Sequence, residues 1–259
     1  MTDGRRHPPA EEHERARPVA RSNWWREVLL IGVFYGLYTL VRNARGAQPV
    51  SAAHALANAR WVIRTERRLG LFHESAVQHW YLHNVGFIQF WNDFYAIAHF
   101  VGVLGVLMLL YFRFPRRYRL WRNTLAATTL MALIGFSVFP LAPPRLLPAG
   151  SGFVDTLQVY GGLWSFQSGP VNSISNQYAA MPSLHTAWAL WAALATLGLV
   201  RPWWARALIL LFPLATAFGL VVTANHYLLD EIAGVAVLGV AYLFARAATP
   251  WLERRHPGH

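Results

Sequence analysis

The chain has 259 residues, of which 23 are basic and 12 are acidic, so its formal net charge is +11. All 23 basic residues are arginine and cysteine is absent, which excludes Schiff-base chemistry, a lysine phosphate ligand, disulfides and thiolate sites. Charged residues make up only 14% of the chain and hydrophobic residues 55%, against roughly 25% charged in soluble domains, so we expect a membrane protein rather than a disordered basic chain or an ordinary nucleic-acid binder.

Six apolar segments come close to the roughly 20 helical residues that a bilayer core about 30 Å thick requires. A signal peptide is the alternative interpretation of the first segment. No small-residue cleavage site follows it, and Arg42 and Arg45 close it, which favours an uncleaved helix. The segments lie at about 24–41, 86–112, 122–140, 184–200, 205–223 and 227–247.

The predicted fold is therefore all-α, an integral membrane bundle of six transmembrane helices. We expect the bundle to occupy residues 23–249 and to carry the function. Residues 1–22 are predicted to form a disordered cytoplasmic tail and residues 250–259 a short C-terminal tail, because neither stretch has apolar periodicity.

Residues 52–69 are too interrupted to cross a bilayer. Apolar side chains recur at helical spacing on one side, and arginines populate the other, which is typical of a helix lying in the membrane interface. A solvated amphipathic helix packed on the rest of the protein is the alternative. The apolar set is Leu56, Ala59, Ile63 and Leu69, and the basic set is Arg60, Arg64, Arg67 and Arg68.

Arginines in short loops indicate which side of the membrane each loop faces. The loop 113–122 holds five and the loop 201–206 two, whereas the connection 141–183 holds only Arg145 and the tip 224–226 none. Six alternating spans then place both termini and the arginine-rich loops in the cytoplasm. The six arginines of 42–70 run against this assignment, but the length of that region weakens the rule there. We expect a multi-pass protein of the plasma membrane.

Polar side chains in or beside the spans are costly in a bilayer and are therefore functional candidates. On the second span, Asn92, Tyr95 and His99 share one helical face. The other two groups open the fourth and sixth spans, which start on the same outer side, so His185 and His226 are predicted to lie together. These two groups are Met181-Pro182-Ser183-Leu184-His185 and the run from Asn225 through His226, Asp230 and Glu231 to Gly234.

These residues suit phosphoryl transfer. His226 and Asp230 stand one helical turn apart, so the carboxylate is able to bind one imidazole nitrogen and leave the other free as a nucleophile. Pro182 and Ser183 predict a helix start whose free N–H groups attract an anion. Arg145 follows two rigid prolines and suits a bidentate phosphate clamp. The plain alternative is that each group alone is structural.

At these residues the chain resembles the phosphatidic-acid-phosphatase type 2 superfamily of six-span membrane enzymes. Pro182-Ser183-Leu184-His185 matches the second superfamily motif, and the stretch from His226 to Asp230 matches the third. Ala142-Pro143-Pro144-Arg145 and the run from Asn225 to Gly234 look more like the inositol-phosphorylceramide-synthase branch, whose members are inositolphosphotransferases. The similarity covers most of residues 50–247.

The resemblance implies roles for the candidate residues. His226 matches the nucleophile that forms a phosphohistidine, Asp230 its orienting carboxylate, His185 the general acid and Ser183 a phosphate ligand. The implied substrate is a lipid phosphate in the bilayer, and the implied acceptor is water, a polyol or a lipid alcohol. We expect no nucleic-acid partner and neither a metal nor another cofactor. The residues expected to bind substrate are Arg145, Ser183, Asn92, Tyr95 and His99.

The chain departs from the superfamily pattern in two cations. It has no lysine, so the lysine of the first motif is missing, and Leu220 stands where the third motif often has an arginine. A phosphate site poorer in cations fits the synthase-like branch. Two other classes remain as alternatives, a membrane haem protein with histidine axial ligands and a proton-coupled transporter that uses His99 and Asp230. Neither explains Arg145 or the Pro-Ser helix start.

Overall fold

This computed structural model describes residues 51–161 and 178–255, the last six by main chain alone, and four single positions, 25, 29, 32 and 36. Within these ranges the chain is helical and has no strand beyond an isolated bridge between Leu141 and Ala179, which confirms the predicted all-α class for this part. The helices are α1 (Ala52–Leu69), α2 (Glu74–Tyr81), α3 (Val85–Arg113), α4 (Pro115–Val138), a 3₁₀ turn (Pro144–Leu146), α5 (Thr156–Val159), α6 (Leu184–Leu197), α7 (Trp203–Val222) and α8 (Leu228–Arg255).

Three of the described helices are long and apolar enough to cross a membrane, namely Val85–Arg113, Trp203–Val222 and the part Leu228–Thr249 of α8. Helix α6 is apolar too, but its 14 residues extend only about 21 Å at 1.5 Å per residue. The predicted span 24–41 and the tail 1–22 lie outside the described residues, apart from the four single helical positions. At the other end α8 continues to Arg255, past the predicted boundary at 249.

The predicted span 122–140 falls within α4, which is not among the helices of spanning character. Helix α4 carries polar residues in its first two thirds, among them Arg122, Asn123 and three buried threonines. The threonine hydroxyls donate to carbonyls four residues earlier, so the helix itself satisfies them. Asn123 also donates its amide to Thr249 Oγ1 of α8 at 3.1 Å. Helix α4 therefore lies against α8 through polar as well as apolar contacts.

The main core lies between α3, α4, α6 and α8. Its largest side chain is the fully buried Trp191, whose indole N–H donates to the Trp121 carbonyl at 2.8 Å. Large apolar side chains on the outer face of α3, among them Phe100 and Leu104, are more than half exposed. An apolar outer face on a helix of this length is what a lipid-facing surface requires.

The two ends of this bundle differ in chemistry. At one end the guanidinium of Arg117, in the arginine-rich start of α4, lies beside Gly198 just after α6. At the opposite end α6 and α8 begin, α7 ends, and the 3₁₀ turn with Arg145 lies beside them. The candidate residues of the sixth span, the fourth span and the 141–183 connection are therefore collected at one end.

Helix α1 has the predicted bounds, since it begins after Ser51 and ends at Gly70, whose φ of 70° is left-handed. Its buried face agrees with the predicted one in part, since Ala59 is buried and Leu56 and Ile63 pack against the same cluster. Leu69 is 61% exposed, while the buried positions are Ala55, Ala59, Val62 and Glu66. They pack against Leu141, Ala142 and Tyr227, so the described contacts of α1 are those of a helix packed on the protein.

Candidate active site

His226 and Asp230 form a hydrogen bond where α8 begins. His226 Nδ1 lies 3.2 Å from Asp230 Oδ1, and the two residues are 5% and 0% exposed. Asp230 Oδ2 accepts the main-chain N–H of Tyr227, also at 3.2 Å, so Asp230 is the acidic half of a capping box. His226 precedes the helix, and the pair forms through this cap rather than across one helical face. A carboxylate on Nδ1 leaves Nε2 free with its lone pair.

The connection before His226 is held by hydrogen bonds on both sides. The N–H groups of Asn225 and His226 donate to the Leu220 carbonyl at 2.9 and 3.4 Å. The Tyr227 hydroxyl donates to the Ala142 carbonyl at 3.1 Å, and burial raises the pKa of this phenol. Ala224 takes a left-handed φ of 56°, a conformation that costs an alanine roughly 1–2 kcal/mol. Backbone strain held in this way is common at functional sites.

His185 lies in the first turn of α6, and its ring reaches His226. The two ring centroids are 5.4 Å apart. On its other sides the His185 ring contacts Tyr95 at 4.6 Å and His99 at 4.4 Å between centroids. His185 Nδ1 is buried and has no hydrogen-bond partner among residues 51–161 and 178–255. A second histidine with an unengaged ring nitrogen therefore stands next to His226, as a general acid or base requires.

Ser183 begins α6 and links it to α8. Its hydroxyl caps the helix, accepting the Thr186 N–H at 3.4 Å, and its own N–H donates to the Asp230 carbonyl at 3.0 Å. Pro182 stands just before this N-cap rather than in the first helical turn. The Ser183 side chain is fully buried, so its role as a phosphate ligand stays a prediction.

Gly234 allows the start of α6 to lie against α8. A Cβ at this position would collide with the Ser183 carbonyl, a main-chain atom that has no freedom to swing away. The glycine that follows the third motif is therefore explained by helix contact. It brings the two histidine-bearing segments within reach of each other.

Arg145 is held beside the His226 segment. Its main-chain N–H donates to the Ala224 carbonyl at 2.9 Å, and its Nε donates to Asn225 Oδ1 at 3.0 Å. A third contact joins its Nη1 to Asp155 Oδ2 at 3.3 Å, with both side chains less than a fifth exposed. The guanidinium is thus fixed by two elements, as a preorganised phosphate clamp must be.

The three polar residues of the second span divide into two environments. Tyr95 and His99 adjoin His185, and His99 Nδ1 pairs with the Tyr95 carbonyl at 2.9 Å. Asn92 is directed elsewhere, because its amide donates to the Thr156 and Gly161 carbonyls and its oxygen accepts the Thr156 hydroxyl. Its polar atoms are occupied by the loop after α5. Asn92 therefore holds this segment in the structure, and its expected contact with substrate stays a prediction.

A small cavity borders His185. It measures about 10 Å³ and is lined by Tyr95, His99 and His185 together with Gly219 and Leu220, which is space for about one water molecule. A phosphoryl group is larger, so its binding requires these side chains to move apart. A second cavity of about 380 Å³ lies beyond the end of α7, beside Glu74 and Glu231.

The described residues contain no group of three or more His, Asp or Glu side chains arranged to hold a metal ion. The prediction of a cofactor-free site remains a prediction. The spacing of the histidine rings argues against the haem alternative, since two axial histidines must have an iron and its macrocycle between them. Rings 4.4 and 5.4 Å apart leave no such space.

Four polar residues of this region were absent from the sequence-based set, namely Glu66, Glu74, Asp155 and Asn225 in its side-chain role. Asn225 and Asp155 position Arg145, as described above. Glu66 and Glu74 bind the main chain at the start of α8. One signal was available for Glu66, because it continues the row Ala55, Ala59 and Val62 at helical spacing, and an acid on a buried helix face needs a partner.

Comparison with known proteins gives one family. A family model described as PAP2 superfamily matches residues 60–244, a stretch that includes α3, α4, α6, α7 and the motif residues of the site. No curated protein and no solved structure shows a significant match.

Proposed function

Because the chain belongs to the PAP2 superfamily, whose members are generally phosphatases, we propose that it is a metal-independent membrane enzyme that transfers the phosphoryl group of a lipid phosphate through a phosphohistidine on His226. One observation carries the assignment of the residues. The His226–Asp230 hydrogen bond of 3.2 Å stands next to a second histidine, His185, at a ring separation of 5.4 Å.

In the first step His226 Nε2 bonds to phosphorus as the bond from phosphorus to the leaving oxygen breaks. His185, in its protonated form, gives its proton to that oxygen. Asp230 holds Nδ1–H and stabilises the positive charge that develops on the ring, as the carboxylate of a triad does. This step leaves a phosphorylated His226 and a neutral His185.

In the second step an oxygen of water or of an alcohol bonds to phosphorus and the P–N bond breaks. The proton of the attacking hydroxyl passes to His185, which regains its acid form. Water as acceptor gives a phosphatase, and a polyol or lipid hydroxyl gives a phosphotransferase. The motif around Arg145 and the run from Asn225 to Gly234 favour the inositolphosphotransferase-like branch.

Negative charge on the transferred group is met by Arg145 and by the start of α6. Arg145 is preorganised by Asn225 and Asp155, and the N-terminus of α6 adds its dipole. Tyr95 and His99 border the same histidines. We assign substrate contact to Arg145, Ser183, Tyr95 and His99, and give Asn92 the task of holding the loop at Thr156.

We further propose a six-span topology in the plasma membrane with both termini in the cytoplasm and the site facing outward. The separation of the arginine-rich turns from the histidine end of the bundle supports this orientation. In that arrangement the site lies at the outer leaflet and meets lipid phosphates there.

The test uses the full-length protein in lipid nanodiscs with ³²P-labelled lipid phosphates, with and without inositol. Acid and alkali quenches identify the phosphoenzyme, because a phosphoramidate is labile to acid and stable to alkali. We expect labelled protein in the wild type, none in His226→Ala, and turnover that persists in excess chelator. His54→Ala is the control, since His54 is exposed on α1. Undiminished labelling of the His226→Ala variant overturns the nucleophile assignment.

His185→Ala separates the two chemical steps. With a substrate whose leaving group needs no proton, such as a nitrophenyl phosphate ester, we expect the variant to form the phosphoenzyme but to release phosphate slowly. Slow formation and fast release with this substrate contradict the role of His185 as the base of the second step.

A further inference from the structure

Two buried carboxyl groups outside the proposed catalytic set bind the start of α8. Glu66, near the end of α1, accepts the Leu229 N–H at 2.7 Å, and Glu74, the first residue of α2, accepts the Leu228 N–H at 3.0 Å. Both residues are 0% exposed. These contacts join parts of the chain more than 150 residues apart.

Glu66, Glu74 and Asp230 together occupy the first free donors of the helix. Asp230 accepts the N–H of Tyr227, Glu74 that of Leu228 and Glu66 that of Leu229. A helix leaves its first four N–H groups without internal partners, and its positive end stabilises negative charge. The position of the first turn of α8, which carries Asp230, is therefore set by α1 and α2.

The second carboxyl oxygens of Glu66 and Glu74, the Oε2 atoms, do not cap the helix, so their burial has another cause. Each Oε2 is buried and receives no hydrogen bond from the described residues, and the two side chains lie within hydrogen-bond reach of each other. Two ionised carboxylates in this position would repel and leave buried lone pairs unsatisfied. One shared proton removes both problems, because one Oε2 donates and the other accepts.

We propose that Glu66 and Glu74 form a carboxyl pair that holds one proton and positions Asp230, and through it His226, for phosphoryl transfer. Both are positioning residues, and the inference rests on the function proposed above. The pKa of Glu66 is raised to about 8, mainly by burial; the Leu229 N–H acts to lower it, and the charges of Glu74 and Asp230 act in the same direction as burial. The pair is then singly protonated at neutral pH.

The other ionisable groups that interact electrostatically with the pair lie at the start of α8. They are Asp230, the adjacent Glu231 and the Tyr227 phenol, and the charges of Glu66 and Glu74 act on Glu231 and Tyr227. None of these groups supplies a positive charge, and on the α2 side His73 lines the same cavity as Glu74. Glu74 and Glu231 also border the cavity of about 380 Å³, which gives water a route for proton exchange with the pair.

Glutamine substitutions distinguish a shared proton from two independent caps. In Glu66→Gln or Glu74→Gln, the amide oxygen still accepts the main-chain N–H and the amide nitrogen donates to the remaining carboxylate, so we expect kcat close to the wild-type value. In the double variant two NH₂ groups face each other with no acceptor between them. We expect its kcat to fall about a hundredfold, the scale of loss for a displacement of roughly 1 Å at a catalytic group.

The pH dependence of kcat separates a shared proton from a purely structural role, because two helix caps without a shared proton would not change that dependence. In the wild type, loss of the shared proton near pH 8 places two negative carboxylates side by side, so kcat should fall there while KM changes little. In Glu66→Gln that proton is absent, and kcat should hold through the same range. An unchanged alkaline limb in Glu66→Gln, or single variants as inactive as the double one, overturns the proposal.

Infrared spectroscopy detects the shared proton without measuring enzyme activity. Infrared difference spectra of the folded protein should show a carboxylic-acid C=O band that disappears on raising the pH through 8. Because Glu231 is another buried carboxyl beside the pair, the spectra are compared in a Glu231→Gln background, where the band should be present and should be lost on further substitution of Glu66 or Glu74 by Gln. If the wild type shows the band but transfers no phosphoryl group, the proposed function fails while the pair stands. A band that survives both single substitutions refutes the pair, even if the double variant does not fold.

Discussion

The main-chain N–H of Ser183 donates to the main-chain carbonyl of Asp230 at 3.0 Å. This bond ties the residue that caps α6 to the residue whose carboxyl group binds His226. Because His185 lies two residues after Ser183, the bond also sets the separation of the two histidines. The relative position of α6 and α8 is thus part of the site, and substitutions at the helix contact should affect the chemistry.

Gly234→Ala tests this contact. The new methyl group meets the Ser183 carbonyl, so we expect the helices to separate, with a destabilisation of about 1–3 kcal/mol, the usual range for overpacking, and a large loss of kcat. Thermal unfolding in detergent and turnover measure the two effects. The matched control is Gly239→Ala on the same helix, which has open space around the new methyl group and should gain up to about 1 kcal/mol in helix propensity. Equal effects at both positions would refute the contact argument.

Asp230→Asn tests the orienting carboxylate. Asparagine retains the size and one acceptor oxygen, but it lacks the charge that stabilises a cationic His226 ring. We expect kcat to fall about 10³–10⁴-fold, as for the equivalent change in hydrolase triads, with a much smaller change in KM. Glu231→Gln is the control, since no described hydrogen bond joins Glu231 to His226. A loss confined to KM would mean that Asp230 acts on substrate binding instead.

Arg145→Lys tests the phosphate clamp. Lysine keeps the charge but is unable to donate to Asn225 and Asp155 from a planar fork. The expected result is a KM for lipid phosphate that is about 10- to 100-fold higher, equivalent to one or two charged hydrogen bonds of roughly 1.5–3 kcal/mol, with kcat less affected. Arg201→Lys, an exposed position at the opposite end of the bundle, should leave KM unchanged. If Arg145→Lys binds substrate as well as the wild type, the positive charge at position 145 is sufficient and the planar clamp is refuted.

Glu66 makes stability depend on pH. Its pKa rises from an ordinary value near 4.5 to about 8 in the folded protein, so between these values the folded chain holds a proton that the unfolded chain has released. Stability from this group is therefore complete below about pH 4.5, declines as the pH rises towards 8, and changes no further above it. Unfolding midpoints at pH 5, 6.5 and 8 should show a flatter decline in Glu66→Gln. An identical slope in both proteins would count against a protonated Glu66.

Much of the architecture was predictable from local pattern. The bounds of α1 followed from its amphipathic spacing, and α3, α7 and α8 followed from long apolar runs. Residues 122–140 were predicted as a span and lie largely in α4, but the polar residues at its start keep α4 out of the helices of spanning character, and the sequence did not show that its threonines bond within the helix. In α1 the sequence did not show that Glu66 lies on the buried face and Leu69 does not, since the packing partners Leu141 and Tyr227 are remote in sequence.

For the site, the sequence by itself determined which side chains were available. Residues near in sequence, such as His226 and Asp230, were paired by spacing alone, and membrane topology predicted that His185 would join them. The tertiary structure decided how they are held. Asn92 was assigned to a loop, Arg145 was fixed by Asp155, and Glu66 and Glu74 came to the start of α8, through contacts between residues up to 163 positions apart. Periodicity reports only which face of a helix is apolar, whereas the partner of a buried polar atom depends on which distant element meets that face.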